Sequence, residues 1–520
     1  MNDLMGRHFY TNIDINSVVT PFLNRAAEID AADPAVLYPF VDAYAGTQIT
    51  DILFDVFCQY SAVDSAIWSS CRDKYLQKEE NGLAVDYTDR YKGICAFHAN
   101  GIDPYSVWFA RCRERELYPW LSVRMNDCHC PDEEACFLRS DFFYEARAKG
   151  WTVGEKYGYY RWCFDYAVPE VRRRMLGYIA ELLDRYDVDG LELDFQRELF
   201  CFNYVNCPGR LEIMNGFMRE VRGLVRGAER RLGHPVRLSV RIQRDIAQNR
   251  IYGFDAETWV HEGLVDLIVV SPRWTTNDSD MPLDAWKRAF PEVEIAAGLT
   301  DLILQRWDLN ASPAALAGYA LQYLQEGADS IYLYNLFIGH HFLAATAGVP
   351  RMTEAALYEL YAAHDRSGKT SVYDCVNRTC GEIGTAAASS RRHIVTWQDS
   401  VPEGAEGWKP LPMREGEVPI RTGRLTAGRK AALLLGFSEG GPEDVCIRVN
   451  GREMGPFLPC EGGALDEGRK DPFVPEGSRL YRAELADDGE PVRRITFSDS
   501  RGAELSYMEI EVYGSAPDFS

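Results

Sequence analysis

The stretch 186–200, YDVDGLELDFQRELF, constrains the fold of this chain more than any other segment. Apolar and polar side chains alternate strictly through its centre, in the order Leu191, Glu192, Leu193, Asp194, Phe195 and Gln196. This period of two is typical of a β-strand. Apolar residues at helical spacing precede it over 171–183 and follow it over 211–232. Helix, strand and helix in succession predict a parallel α/β sheet.

The same rhythm extends along much of the chain and predicts a (β/α)8 TIM barrel with insertions. Besides the central strand, we expect strands at 7–15, 49–60, 118–127, 236–245, 264–274, 293–301 and 328–337. Helical patterns fall at 104–116, 256–262, 283–290, 313–326 and 353–364. The segment 61–100 is expected to be an insertion and 128–165 a long loop. A doubly wound sheet is less favoured, because no glycine-rich phosphate turn follows the first strand.

The character of the sequence changes after residue 365. Helical periodicity disappears, and short alternating runs such as AALLLGFS and ELSYMEIEVY take over. Asn450-Gly451 between two of these runs indicates a β-hairpin. We therefore predict a catalytic barrel over 1–365, a linker over 366–392 and an accessory β-sandwich over 393–520.

Composition narrows the class of protein and its partners. The 520-residue chain is 46% hydrophobic and 26% charged, as in soluble globular proteins, and carries a net charge of −22. That charge argues against binding to nucleic acid or to anionic membranes. No secretory signal is visible, and the 14 irregularly spaced cysteines are expected to be reduced, which favours the cytoplasm. A homo-oligomer is left open.

The alternation in neighbouring strands predicts which side chains point into the barrel. Strands three and five share the pattern L-S-V-R, so Arg124 and Arg241 should point inward. They flank Glu192 and Asp194 of the fourth strand, which places two guanidinium groups beside two carboxylates. The end of that strand is where such barrels keep their chemistry. The alternative is an ion-pair network that only fills the interior.

The motif D-G-L-E-L-D-F at 189–195 resembles the fourth-strand motif, D-V-D-G-x-x-x-D-F, of several TIM-barrel glycoside hydrolase families. In the related alpha-amylase pattern the last aspartate is the nucleophile, and the resemblance places that role on Asp194. In the chitinase-type pattern, D-G-x-D-x-D-x-E, the final glutamate is the catalytic acid. That position is Gln196 here, which disfavours a substrate-assisted chitinase mechanism.

A glycosidase commonly needs two carboxyl groups, one as acid and one as nucleophile or base. We expect Asp194 to be the ionised group, with the acid among Glu192, Asp127, Asp245 and Asp301. The predicted substrate-binding residues are Arg124, Asn126, His129, Arg197, Arg241, Arg273, Trp274, Tyr334 and Asn335. So many arginines suggest an acidic sugar, such as a uronate or a sulfated glycan. They could equally serve only to neutralise the carboxylates.

Two other functions remain as alternatives. One is a barrel that binds glycans without catalysis, which Gln196 favours. The other is a metal-dependent sugar isomerase or lyase with His129, Glu192 and Asp194 as ligands. Neither a metal nor a cofactor is expected for the preferred hydrolase, because the C-H-C run at 128–130 lacks the spacing of a structural zinc site.

Overall fold

A computed structural model describes ten segments of the chain. They are 7–76, 89–129, 138–204, 206–273, 276–303, 311–335, 358–359, 372–396, 417–465 and 473–514. Trp274 and most of the predicted helix at 353–364 lie outside these residues. Among the helices of these segments, none is both long and apolar enough to cross a membrane.

The N-terminal part is a closed barrel of eight parallel strands in consecutive order. The strands are β1 (Phe9–Ile13), β2 (Asp51–Phe57), β3 (Tyr118–Arg124), β4 (Gly190–Asp194), β5 (Arg237–Gln243), β6 (Leu267–Ser271), β7 (Glu294–Thr300) and β8 (Ser330–Tyr334). Each lies inside the segment predicted for it, and the predicted (β/α)8 class is confirmed.

Helices cover the outside of this barrel and fill the connections. The α-helices are Thr20–Asp30, Pro39–Asp42, Cys71–Leu76, Lys92–Ala99, Pro104–Glu114, Asp141–Lys149, Pro169–Arg185, Arg210–Leu232, Ile246–Tyr252, Ala256–His261, Leu283–Ala289, Pro313–Glu326, Val372–Thr379 and Ile383–Ala388. Shorter turns of 3-10 or π-helix are Ile15–Val19, Pro34–Leu37, Asp89–Tyr91, Glu155–Trp162 and Pro442–Asp444.

The alternation of the strands divides the barrel into two apolar regions. Side chains such as Leu121, Val123 and Leu238 belong to the large core between strands and helices. A separate cluster that includes Tyr10, Trp120 and Tyr332 fills part of the barrel interior. The predicted facing of strands three and five is therefore confirmed.

The expectation of a long loop over 128–165 was wrong for residues 141–149. Helix Asp141–Lys149 lies within it, capped by Ser140, whose hydroxyl accepts the N–H of Phe143 at 3.2 Å. Gly150 ends the helix with a φ of 67°, a conformation that glycine adopts without strain. These start and stop signals are local and were present in the sequence.

The C-terminal part is a two-sheet β-sandwich, as predicted. One sheet has the order β14-β15-β11-β17-β9 and the other β10-β16-β12-β13. The strands are β9 (Arg391–Ile394), β10 (Glu417–Ile420), β11 (Arg429–Glu439), β12 (Cys446–Val449), β13 (Arg452–Glu453), β14 (Leu458–Cys460), β15 (Arg479–Leu485), β16 (Arg493–Ser498) and β17 (Glu504–Gly514). Asn450 and Gly451, both with positive φ, form the predicted hairpin turn between β12 and β13.

Strand β9 joins the two parts of the chain. It pairs with β17 at the edge of the five-stranded sheet and packs on helix Pro313–Glu326 of the barrel. Their approach is so close that a Cβ on Gly318 would lie 2.0 Å from the carbonyl oxygen of Arg392. The two helices Val372–Thr379 and Ile383–Ala388 lie within the range predicted as a linker.

Candidate active site

Strand β4 brings its acidic residues into the barrel between two arginine-bearing strands. Asp194, the last residue of β4, is in register with Arg124 of β3 and with Arg241 of β5. All three side chains are buried. The carboxyl ends of the strands therefore hold opposite charges at one level, as the L-S-V-R repeat predicted.

Asp194 accepts four hydrogen bonds. Its Oδ1 accepts the backbone N–H groups of Gln196 and Arg197, both at 3.0 Å, and Nε of Arg241 at 2.9 Å. Its Oδ2 accepts Nη2 of Arg241 at 3.1 Å. The guanidinium in turn lies over the ring of Tyr334, with Cζ 3.5 Å from the ring centroid. Arg241 and the backbone after β4 thus fix the orientation of this carboxyl group.

Arg124 has other partners than those the sequence suggested. It pairs with Asp14 at 2.6 Å, with Asp55 at 3.1 Å and with Asp127 at 3.4 Å. Burial would raise the pKa of Asp14, but Arg124 overcomes this and lowers it. Burial, together with Asp14, holds the pKa of Asp55 well above its usual range despite Arg124. The Arg124 guanidinium thus joins strand β2 to the residues that follow β1 and β3.

Asp127 and His129 form a dyad beside this network. Nδ1 of His129 contacts the Asp127 carboxylate, while Nη2 of Arg197 lies 2.9 Å from Nε2. A guanidinium cannot accept a hydrogen bond, so Nε2 accepts and the imidazole proton sits on Nδ1, facing Asp127. Burial would raise the pKa of Asp127, but His129, Arg197 and Arg124 outweigh it and lower that pKa. Asp127 is therefore an anion, unsuited to the role of acid.

Glu192 lies one inward-facing position deeper in the barrel than Asp194. Its Oε1 accepts the hydroxyls of Ser122 and Tyr332, both at 2.7 Å, and the amide of Asn12 at 3.2 Å. Its Oε2 has no hydrogen-bond partner among the described residues. Burial, reinforced by the charge of Asp194, raises the pKa of Glu192 to about 7.

Glu198, in the loop after β4, is a buried carboxyl that the sequence analysis missed. Its side chain is 1% exposed, and Oε2 lies 4.0 Å from Nη2 of Arg273. Its Oε1 is 3.5 Å from the hydroxyl of Tyr159, a residue that is 37% exposed. Burial raises the pKa of Glu198 against the opposing effect of Arg197 and Arg273. The only sequence signal was its place four residues beyond Asp194.

Of the predicted arginines, Arg273 interacts least closely with a carboxylate of the protein. Apart from the 4.0 Å approach to Glu198, its guanidinium lies over the rings of Tyr160 and Tyr159, 5.2 and 5.9 Å from their centroids. Its side chain is 20% exposed, whereas those of Arg124 and Arg241 are 2% and 0% exposed. Among these three, only Arg273 combines access to solvent with unused donors toward the described residues.

Three other predicted residues make contacts that hold the scaffold. The amide of Asn126 donates to the carbonyls of Phe164 and Phe200 and accepts the N–H of Phe164, which ties two loops together. Asp245 caps helix Ile246–Tyr252 by accepting the N–H of Gln248 at 2.9 Å. Asn335, with a φ of 44°, lies 3.5 Å from Arg124.

The metal-ligand set that the sequence left open does not converge. Both ring nitrogens of His129 are hydrogen-bonded, and all the hydrogen bonds of Asp194 go to Arg241 and to backbone N–H groups. Within the described segments, no group of three or more His, Cys, Asp or Glu side chains is placed to hold a metal ion.

Neither a family model nor a curated protein matches this chain. Among solved structures it is similar to a GH138 enzyme targeting pectin rhamnogalacturonan II, with 9% identity and a TM-score of 0.41, over 72% of this chain and 39% of that one. It is also similar to the GH36 alpha-galactosidase AgaB from Geobacillus stearothermophilus, with 10% identity and a TM-score of 0.36, over 95% and 56% of the two chains. The alpha-L-fucosidase isoenzyme 1 from Paenibacillus thiaminolyticus is 14% identical with a TM-score of 0.33, over 95% and 96%.

All three of these proteins are glycoside hydrolases, and the chain spans less than two thirds of the first two. Likeness this weak carries no information on the substrate or the reaction of the present chain.

Proposed function

We propose that this protein is a glycoside hydrolase whose reaction takes place at the carboxyl end of the barrel strands. The proposal rests on one observation: the carboxyl groups at this end of the barrel lie in two different kinds of environment. Asp194 is bonded to a guanidinium and to backbone N–H groups. Glu192 and Glu198 have pKa values raised by burial. In glycosidases, such a difference in environment separates the pKa of the acid from that of the base.

We further propose that the substrate carries an anionic group, such as the carboxylate of a uronate or a sulfate. Of the predicted arginines, Arg124 and Arg241 are buried and paired with carboxylates of the protein. Arg273 is partly exposed and flanked by the rings of Tyr159 and Tyr160. A guanidinium can bind a carboxylate or sulfate through two donors, and the rings can pack on the face of a sugar.

The proposal is tested with purified protein on paired glycosides that differ only at C6, each uronoside being matched with its neutral hexoside. We expect hydrolysis of at least one uronoside, with kcat/KM about 10-fold or more above that of its neutral partner. Asp194→Asn should lower kcat by about 100-fold or more. Arg273→Gln should reduce the preference for the charged member of the pair.

Glu509→Gln is the matched control for Asp194→Asn. Glu509 is also a buried carboxylate bonded twice to an arginine, Arg392, but it lies in the sandwich. Both variants lose one charge of a buried pair, so their stability should fall alike while only Asp194→Asn loses activity. Binding of glycans without hydrolysis by the wild type would contradict the proposal and favour the non-catalytic alternative.

A further inference from the structure

Glu198, a buried carboxyl near the solvent side of the site, does not hold the scaffold together as the neighbouring carboxylates do. Asp194 ties Arg241 to the backbone after β4, and Asp127 lies between Arg124 and His129. Oε2 of Glu198, by contrast, has no hydrogen-bond partner among the described residues. A buried carboxyl oxygen without a partner is costly to keep unless it serves a function.

Several residues around Glu198 are themselves partly exposed to solvent. Tyr159 is 37% exposed, and the side chains of His129 and Arg273 are 32% and 20% exposed. The charged and titratable groups around the carboxyl include Arg197, Arg273, Asp127, His129, Tyr159, Cys128 and Cys163. Glu192, which also has one oxygen without a hydrogen-bond partner among the described residues, lies deeper and is held by three donors on its Oε1. Glu198 thus contacts residues that are partly exposed to solvent, whereas the hydrogen-bond partners of Glu192 are all buried.

We infer that Glu198 is the proton donor of the reaction, an assignment that rests on the proposed hydrolase function. Its Oε2–H transfers the proton to the glycosidic oxygen as the bond from that oxygen to the anomeric carbon breaks, so the leaving alcohol departs neutral. Arg273, 4.0 Å away, stabilises the carboxylate that remains. As water forms the new bond to the anomeric carbon, it gives a proton back to Glu198. The sum is addition of one water across the bond.

Burial supports this role, because it raises the pKa of Glu198 and keeps the carboxyl protonated to higher pH than an exposed glutamate. Arg197 and Arg273 act in the opposite sense. They lower the free energy of the anion formed during the proton transfer. A donor that is protonated at rest yet stabilised when ionised is what general acid catalysis requires.

Dependence on the leaving group tests the assignment. We would measure Glu198→Gln on the 2,4-dinitrophenyl and the phenyl glycoside of whichever sugar the wild type cleaves. The dinitrophenolate leaves without protonation, so its hydrolysis should fall less than 10-fold, whereas that of the phenyl glycoside should fall by about 100-fold or more. Glu511→Gln, which changes a buried glutamate of the sandwich with a raised pKa, should affect neither substrate.

A second measurement leaves the carboxyl in place. Removing a nearby cation raises the pKa of a carboxyl, so Arg273→Gln should move the alkaline limb of the kcat/KM profile to higher pH. Equal losses on both glycosides, no loss on either, or an unmoved alkaline limb would overturn the assignment while leaving the hydrolase intact. A wild type inactive on every glycoside would refute the proposed function, and this inference with it.

Discussion

Replacing Glu192 by glutamine should change how the stability of the barrel depends on pH. In the folded protein the pKa of Glu192 is about 7, because the carboxyl is buried and lies near Asp194. In the unfolded chain an ordinary glutamate titrates near pH 4.5. The folded state therefore holds this proton more tightly than the unfolded state. Between these two pH values the free energy of unfolding falls as the pH rises.

The size of the effect follows from the two pKa values. A difference of about 2.5 units corresponds to about 3 kcal/mol of stability, present below about pH 4.5 and lost by about pH 7. Glutamine is close in shape to the protonated glutamate, and its carbonyl can still accept from Ser122, Tyr332 and Asn12. At pH 4 the variant and the wild type should thus agree within about 1 kcal/mol.

The assay is urea unfolding followed by circular dichroism at a series of pH values from 4 to 8. We expect Glu192→Gln to be more stable than the wild type at pH 8 by about 3 kcal/mol and to show the flatter curve. Groups distant from Glu192 act equally in both proteins, so the difference between the two curves reports Glu192 together with its interaction with Asp194. Parallel curves with a constant offset would refute the linkage reasoning, since they would mean that Glu192 has the same pKa in the folded and unfolded states.

Two further predictions concern the scaffold. A Cβ on Gly190 would lie 2.0 Å from the ring of Trp120, so Gly190→Ala should cost about 1–3 kcal/mol, seen as a lower Tm in calorimetry. Gly216→Ala, in a helix with open space around it, is the control and should gain up to about 1 kcal/mol; equal changes at both sites would contradict the packing argument. Asp245→Ala should cost about 1 kcal/mol through loss of the helix cap on Gln248 and leave kcat within about twofold, whereas loss of turnover with an intact Tm would mean that Asp245 acts on substrate.

The barrel and the facing of its strands could be predicted because both depend on local periodicity. Alternation decides which side chains share a face, and the L-S-V-R repeat put Arg124 and Arg241 at one level with Asp194. The Asn450-Gly451 turn followed from backbone preferences of two residues. No tertiary information was needed for these features.

The pairing inside the site could not be predicted in the same way. Arg124 reaches Asp14, 110 positions away in sequence, rather than Glu192 or Asp194 of strand β4. Glu198 is buried where Tyr159 and Arg273 approach it from distant segments of the chain. Such contacts depend on how loops fold over the strand ends, which periodicity does not encode.

Strand β9 has a consequence for any attempt to work with the two domains separately. Deleting it together with the sandwich would uncover helix Pro313–Glu326, most of whose residues are buried. Expressing the sandwich from residue 395 onward would leave β17 with an unpaired backbone edge where β9 now lies. Open edges of this kind recruit strands from other molecules. Fragments cut on the C-terminal side of β9 should therefore aggregate. When the two domains are separated, β9 should stay attached to the sandwich, and the uncovered face of helix Pro313–Glu326 should be shielded by other means.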